Sequence, residues 1–163
     1  MELIIRKAGT GDLPGILDIY NEAVLNTVAT FDTVPRTLEQ QTEWYGQHGD
    51  AYPILVAERE GRVIGWASAN RYSDRLAYAR TAELSLYIHA EYRGLGLGKR
   101  LLGRILEEGK SAGLHTVLSR IAEGNDSSIH LHRVYGFDMV GTMRQVGYKF
   151  DRLLDVIIMQ KLL

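Results

Sequence analysis

The 163-residue sequence contains no cysteine. Disulfide scaffolds, thiolate zinc sites and cysteine nucleophiles are therefore excluded, and any acyl transfer cannot pass through an acyl-cysteine. Proline is scarce, at 3 residues, and no low-complexity tract or linker divides the chain. No run approaches the roughly 18 apolar residues of a membrane-spanning helix. The start Met1-Glu2-Leu3-Ile4-Ile5-Arg6 does not open a secretory leader, so a cytoplasmic protein is expected, with no membrane partner. Neither charge sign dominates: 19 Lys plus Arg against 20 Asp plus Glu give a net charge of −1. That balance supplies no global attraction to nucleic acid. What is present, 45% hydrophobic and 24% charged residues, is globular composition. The length suits one domain over residues 1–163 with a core that needs no covalent staple.

Periodicity gives the element order β-α-α-β-β-β-α-β-α-β-β. Leu3-Ile4-Ile5 reads as a short buried strand. Leu13, Ile16, Leu17, Tyr20 and Val24 then recur at helical spacing, with Asp12 as the expected cap and Pro14 tolerated in the first turn. Residues 26–35 have no period and read as a loop, in which Phe31 must either pack down or meet a ligand. Thr37 with Gln40 forms a capping-box start for a polar helix expected through about His48. Residues 54–57 and 63–67 form a hairpin around Glu60-Gly61-Arg62. Thr81 to Ile88 alternates, so Glu83, Ser85 and Tyr87 share one face and Leu84, Leu86 and Ile88 the other. A helix to about Ala112-Gly113, a strand at 116–121, a helix at 125–135 and strands at about 138–145 and 153–161 complete the chain.

Between strand and helix lies Arg93-Gly94-Leu95-Gly96-Leu97-Gly98-Lys99. Glycines free the backbone to approach a ligand, and the first N–H groups of a helix lack internal partners, so such a turn suits phosphate. It is not a Walker A loop, because Arg93 stands where the first glycine belongs and Arg100 replaces the Ser or Thr. It is not the dinucleotide fingerprint either, since Lys99 and Leu101 occupy the third glycine position in the two frames. A merely tight turn before a helix is the remaining alternative.

Arg93, Gly96 and Gly98 fit the pattern (Arg/Gln)-x-x-Gly-x-(Gly/Ala) and resemble the acyl-CoA pyrophosphate loop of the GCN5-related N-acetyltransferase (GNAT) superfamily. A second stretch, Asn125-Asp-Ser-Ser-Ile129-His-Leu131-His132-x-x-x-Gly136-Phe137, resembles another element of that family. Ile19-Tyr20-Asn21-Glu22-Ala23, Ala29-Thr30-Phe31-Asp32, Arg75-x-Ala77-Tyr78-x-x-Thr81-Ala82-Glu83-x-Ser85 and Val146-Gly147-x-Lys149-Phe150 resemble the phosphinothricin and methionine sulfoximine acetyltransferase branch. Asp151 and Leu153 depart from it, standing where the branch often has Gly and Trp. The resemblance implies a single-domain α/β fold, with a mixed, mostly antiparallel central sheet flanked by helices and a splayed central strand. It implies acetyl-CoA as co-substrate, a small amino-acid-like amine as acceptor, and a homodimer.

Site residues follow from the same resemblance. Glu83 matches the general base, a role the chemistry requires because an amine attacks only when neutral; burial raising its carboxyl toward neutrality is expected. By residue pattern alone, Glu83 reads equally as a solvated acid. His132 matches a position associated with protonating the leaving thiolate, with packing as its alternative. Backbone groups of Leu86, Tyr87 and Ile88, the turn Arg93, Gly94, Leu95, Gly96, Leu97, Gly98 and Lys99, and Asn125 with Ser128 are implied to hold acyl-CoA. Phe31, Tyr72, Arg75, Tyr78, Leu84, Ser85 and Lys149 are acceptor-side candidates, with Arg75 the first choice for a carboxylate. No metal is expected: His130 and His132, two apart on a helix, do not share a face. Two other readings stay open, a peptide or protein N-acetyltransferase with an open groove and a non-catalytic acyl-CoA-binding module.

Overall fold

A computed structural model of the protein describes residues 2–163. The elements in chain order are β1 (Leu3–Lys7), α1 (Leu13–Asn26), α2 (Leu38–Gly46), β2 (Ile54–Arg59), β3 (Arg62–Arg71), β4 (Thr81–Ile88), α3 (Leu97–Ser111), β5 (Thr116–Ala122), α4 (Asp126–Val134), β6 (Asp138–Lys149) and β7 (Arg152–Leu162). The strands form one sheet in the order β1-β2-β3-β4-β5-β7-β6. Every neighbouring pair is antiparallel except β4 with β5. That parallel pair requires a crossover, which α3 provides.

Both faces of the sheet are covered. On β2, Ile54 and Val56 join the cluster under α1, with Ile16, Tyr20, Val24 and Trp66. Leu55 and Ala57 point the other way, into the cluster under α3 with Leu101, Leu102 and Ile105. Alternation between two buried faces explains why β2 reads as an unbroken apolar run.

β3 runs four residues past the expected 67, to Arg71, which brings Asn70 into the sheet, and two further expectations fail for local reasons. Asp12 does not cap α1 with its side chain. Its carboxylate instead takes both terminal guanidinium nitrogens of Arg6 at 2.8 Å and the N–H of Gly9 at 2.7 Å. β6 runs on to Lys149 because its register shifts between Met143 and Gly147. Gln145 there has φ +52° and donates its N–H to Asp155 Oδ1 at 2.8 Å, so a bulge hides the strand's continuation from a period-two reading. The capping box of α2 forms as expected, with Gln40 N–H on Thr37 Oγ1 and Thr37 N–H on Gln40 Oε1.

The feature that positions the site is an opening in the sheet. β4 stays paired with β3 along its length, from Ala82 opposite Arg71 to Ile88 opposite Gly65. It pairs with β5 only through Thr81, Ala82 and Glu83. Beyond Glu83 the two parallel strands diverge, while β5 continues against β7.

Candidate active site

A cavity of about 930 Å³ occupies this opening, a size suited to a small-molecule site. β4 lines it with both of its faces: Glu83, Ser85 and Tyr87 from one, Leu84 and Leu86 from the other. From Leu84 onward the β5-facing backbone groups of β4 have no strand partner. Backbone groups must be satisfied by something, and an extended amide-bearing arm is a suitable partner.

The glycine-rich turn stands past the open end of β4. Gly94 and Gly96 have φ of +78° and +81°, a backbone that residues with a Cβ adopt only under strain. Space beside both is open, with no neighbouring atom within 4 Å of the position a Cβ would take. Gly96 is the N-cap of α3, and the first helical bond runs from Arg100 N–H to Gly96 O. The N–H groups of Leu97, Gly98 and Lys99 precede that bond and are the free donors of the helix start. Leu97 itself is buried and anchors the turn in the core, while Leu95 is exposed. The Arg93 side chain does not join the turn's donors: its Nε donates to Ile88 O, and Nη2 lies 2.7 Å from Glu22 Oε2. It braces the end of β4 against α1. The turn and the open strand together fit the pyrophosphate and the amide-bearing arm of an acyl-CoA.

Side chains dominate the rest of the cavity. Glu83 is not buried: its side chain is 33% exposed, and its Oε1 lies 2.9 Å from Nε of Arg120 on β5. The burial expected of Glu83 is thus replaced by partial exposure and an ion pair. Asn70 on β3 donates to both Glu83 O and Ser85 Oγ. Its Oδ1 faces Ser68 Oγ and His48 Nε2. The 27–36 loop closes one wall and is pinned along its length, Asn21 holding the Arg36 backbone through two hydrogen bonds. Tyr20 donates to Asp32, Tyr87 to Ala29 O, and the buried Lys149 ammonium to Thr30 O at 2.7 Å. Burial and the Asp32 contact push the Tyr20 hydroxyl up to about 12, and burial raises Tyr87 further, so both remain protonated donors. Arg36 stacks on Tyr20 and pairs with Asp32.

The far wall comes from α4. Asn125 caps that helix, accepting from Ser128 N–H, and Ser128 lines the cavity beside it. His132 is buried. Its Nδ1 lies 2.7 Å from Ser128 O and its Nε2 2.9 Å from Ser119 Oγ. A carbonyl only accepts, so Nδ1 carries the proton and Nε2 accepts from Ser119. Burial lowers the imidazole's proton affinity. The proton-donor role expected of His132 meets a neutral ring whose one N–H is already committed to a carbonyl.

Comparison with known proteins decides among the folds that carry such an opening. Residues 16–137 match the profile of the Acetyltransferase (GNAT) family. The chain belongs to the GNAT acetyltransferase family. An L-methionine sulfoximine/L-methionine sulfone acetyltransferase of Pseudomonas paraeruginosa is 43% identical over 98% of this chain and 94% of that protein. A phosphinothricin acetyltransferase of Sinorhizobium meliloti, solved with acetyl-CoA, superposes with a TM-score of 0.94 at 38% identity, covering 100% of this chain and 89% of that one. A ribosomal-protein-alanine N-acetyltransferase from Brucella melitensis superposes with a TM-score of 0.94 at 42% identity, covering 98% and 99%. The chain is thus an N-acetyltransferase with acetyl-CoA as its co-substrate.

Several acceptor-side expectations for this acetyltransferase lie elsewhere. Tyr72, Arg75 and Tyr78 belong to the exposed connection between β3 and β4, where the two tyrosine rings meet at 5.3 Å. Among the described residues, the cavity wall contains none of these three, and Asp74 is what the connection contributes to it. Lys149 also stands outside the lining, its ammonium spent on the Phe31 loop; burial lowers its proton affinity. Phe31 does line the cavity, its ring lying so close over Gly147 that a Cβ there would overlap it. Sequence reasoning missed Asn70, Ser119 and Arg120. Arg120 shows only as the one charged residue in an apolar strand, a signal that ordinarily marks a solvated face.

Proposed function

We propose that this enzyme transfers the acetyl group of acetyl-CoA to the α-amine of a small free amino acid of the methionine sulfone, methionine sulfoximine or phosphinothricin type, with Glu83 as general base. The observation that carries this reading is the position of Glu83: it is the last β4 residue paired with β5 and the first to face the opening. A carboxylate there stands where an amine must lose its proton before attack. The similar Pseudomonas enzyme, named for methionine sulfoximine and sulfone, supports the acceptor class.

Bound acetyl-CoA supplies an activated thioester carbon, to which the amine nitrogen bonds as the carbon–sulfur bond breaks. Glu83 takes the ammonium proton, directly or through a water, and the nitrogen's second proton, shed on amide formation, balances the departing thiolate. Asn70 fixes the local path of β4 through Glu83 O and Ser85 Oγ. The turn N–H groups of Leu97 to Lys99 hold the pyrophosphate, and the unpaired edge at Leu86 to Ile88 holds the pantetheine arm. His132 positions Ser119 and the start of α4, where Asn125 and Ser128 meet the acyl-bearing end. Much of the acceleration then comes from orientation.

A cytoplasmic homodimer is part of this proposal. β6 is an edge strand, and Val146, Tyr148, Phe150 and Leu153 around its hairpin with β7 are exposed, a surface that a second copy would cover. Leu154, Val156 and Met159 of β7 fill the core instead. Sedimentation of the purified protein as a monomer at micromolar concentration would remove the dimer from the reading.

Thiol release from acetyl-CoA tests the function against methionine sulfone, methionine sulfoximine, phosphinothricin, a polyamine and a peptide with an N-terminal alanine. Turnover of the amino acids, strongly reduced in Glu83→Gln, is the expected result. Turnover of the peptide alone would favour the protein-acetylating activity for which the Brucella neighbour is named. Binding of acetyl-CoA without turnover of any amine would favour a binding module.

A further inference from the structure

We propose that Arg120 is the anchor for the acceptor's α-carboxylate, and that the Glu83–Arg120 pair selects free α-amino acids over amines lacking an adjacent anion. The inference rests on the proposed function, with Glu83 as base. Arg120 is the outward residue of β5 between buried Ser119 and Ile121. The divergence of β4 and β5 leaves its guanidinium on the cavity wall with Nε 2.9 Å from Glu83 Oε1. Among the described residues Glu83 is its only ionic partner. The two terminal nitrogens have no hydrogen-bond partner among those residues, and a guanidinium edge binds a carboxylate with two parallel N–H donors.

The other cavity arginines are differently placed. Arg36 is engaged by Asp32 and by the Tyr20 ring. Arg71 follows Asn70 by one position, so strand alternation turns it from the face of Glu83, and its guanidinium lies over Tyr52.

The chemistry of the acceptor fits this dyad. An α-amino acid is a zwitterion whose ammonium and carboxylate are joined through one carbon. A carboxylate and a guanidinium in contact present the same two charges in complementary order. The ammonium meets Glu83 while the carboxylate meets Arg120. Once Glu83 has accepted the amine's proton, Arg120 loses its ionic partner and its charge is left for the acceptor's carboxylate. A peptide N-terminus has an amide where the free amino acid has a carboxylate, and gains only half of this recognition.

The experiment compares wild type, Arg120→Gln and Arg120→Lys on methionine sulfone and on its methyl ester, which keeps the amine and removes the anion. In Arg120→Gln the KM for methionine sulfone is expected to rise about 10- to 100-fold, the loss of a charge-assisted contact, with kcat changing by only a few-fold. The ratio of kcat/KM for acid over ester should fall by the same factor, and Arg120→Lys should recover part of it. A fall in kcat at constant KM, or an acid-to-ester ratio unchanged from wild type, would overturn the anchor and leave Arg120 as a structural partner of Glu83. Arg120 is 55% exposed, so both variants should fold; matched melting temperatures check this. Failure of the wild type to acetylate any free α-amino acid would bring down the parent reading and the anchor with it.

Discussion

The two arms of the proposed site are built from different material. The arm proposed for the acyl donor is backbone: two left-handed glycines, the free N–H groups at the start of α3 and the unpaired edge of β4. The proposed acceptor arm is built on side chains: Glu83 pairs with Arg120, and Asn70 joins His48 to the Glu83 carbonyl. Backbone donors need only a path, which glycine and a helix start specify locally. A side-chain network needs four elements brought together. The first arm suits a ligand common to all acetyltransferases of the family, and the second suits an acceptor that differs among them.

Substitutions can break this contrast, and the largest effect is expected in the acceptor arm. Glu83→Gln should lower kcat/KM by about 10²- to 10⁴-fold, the usual worth of general-base catalysis, with acetyl-CoA affinity retained. Steady-state kinetics with a cofactor titration checks it, and an unchanged kcat/KM would dissolve the distinction between the arms. The donor arm is probed by Gly96→Val. A β-branched residue at φ +81° should cost about 1–2 kcal/mol and weaken acetyl-CoA binding about tenfold while the acceptor KM stays within about twofold. Calorimetric titration with a thermal melt reads both effects. Equal weakening of both substrates would show that the turn acts through the whole fold.

Smaller changes sharpen the picture. Gly147→Ala forces the Phe31 ring to move, since the added Cβ would overlap it. The acceptor KM should rise several-fold with little change in acetyl-CoA binding, measured by varying each substrate in turn. Thr37→Ala, remote from both arms, should cost about 1 kcal/mol through loss of the capping box and leave kcat unchanged. Denaturant unfolding beside an activity assay checks that pairing.

Stability should also depend on pH in a direction the structure fixes. The Arg6 guanidinium holds the Asp12 carboxyl below its ordinary value. Its contribution is present at neutral pH and lost as pH falls through the lowered folded value. Burial likewise holds His132 below the usual 6.5. Its contribution is complete above about 6.5 and lost as pH falls from there through the lowered folded value, because the unfolded chain takes the proton first. Unfolding titrations between about pH 8 and 4 should therefore show stability falling from about pH 6.5 downward, and His132→Gln should flatten the upper part of that fall. A fall of unchanged shape in the variant would assign the effect to another group.

Legibility followed the same division. Strand alternation placed Glu83, Ser85 and Tyr87 on one face, and all three line the cavity. The capping box of α2 and the glycine turn are local chemistry and could be read directly. The bulge at Gln145 concealed the length of β6, since an extra residue breaks a period of two. Asp12 looked like a cap because its partner Arg6, on another element, is invisible to a window along the helix.

The sequence by itself determined the element order, the glycine turn and, by resemblance, the family, because each rests on spacing within a few tens of residues. Only the tertiary structure decided that the sheet opens after Glu83, that Lys149 and Arg93 brace the frame, and that Arg120 stands against Glu83. Those facts depend on where β4 and β5 part, and strand divergence is set by packing on both faces of the sheet.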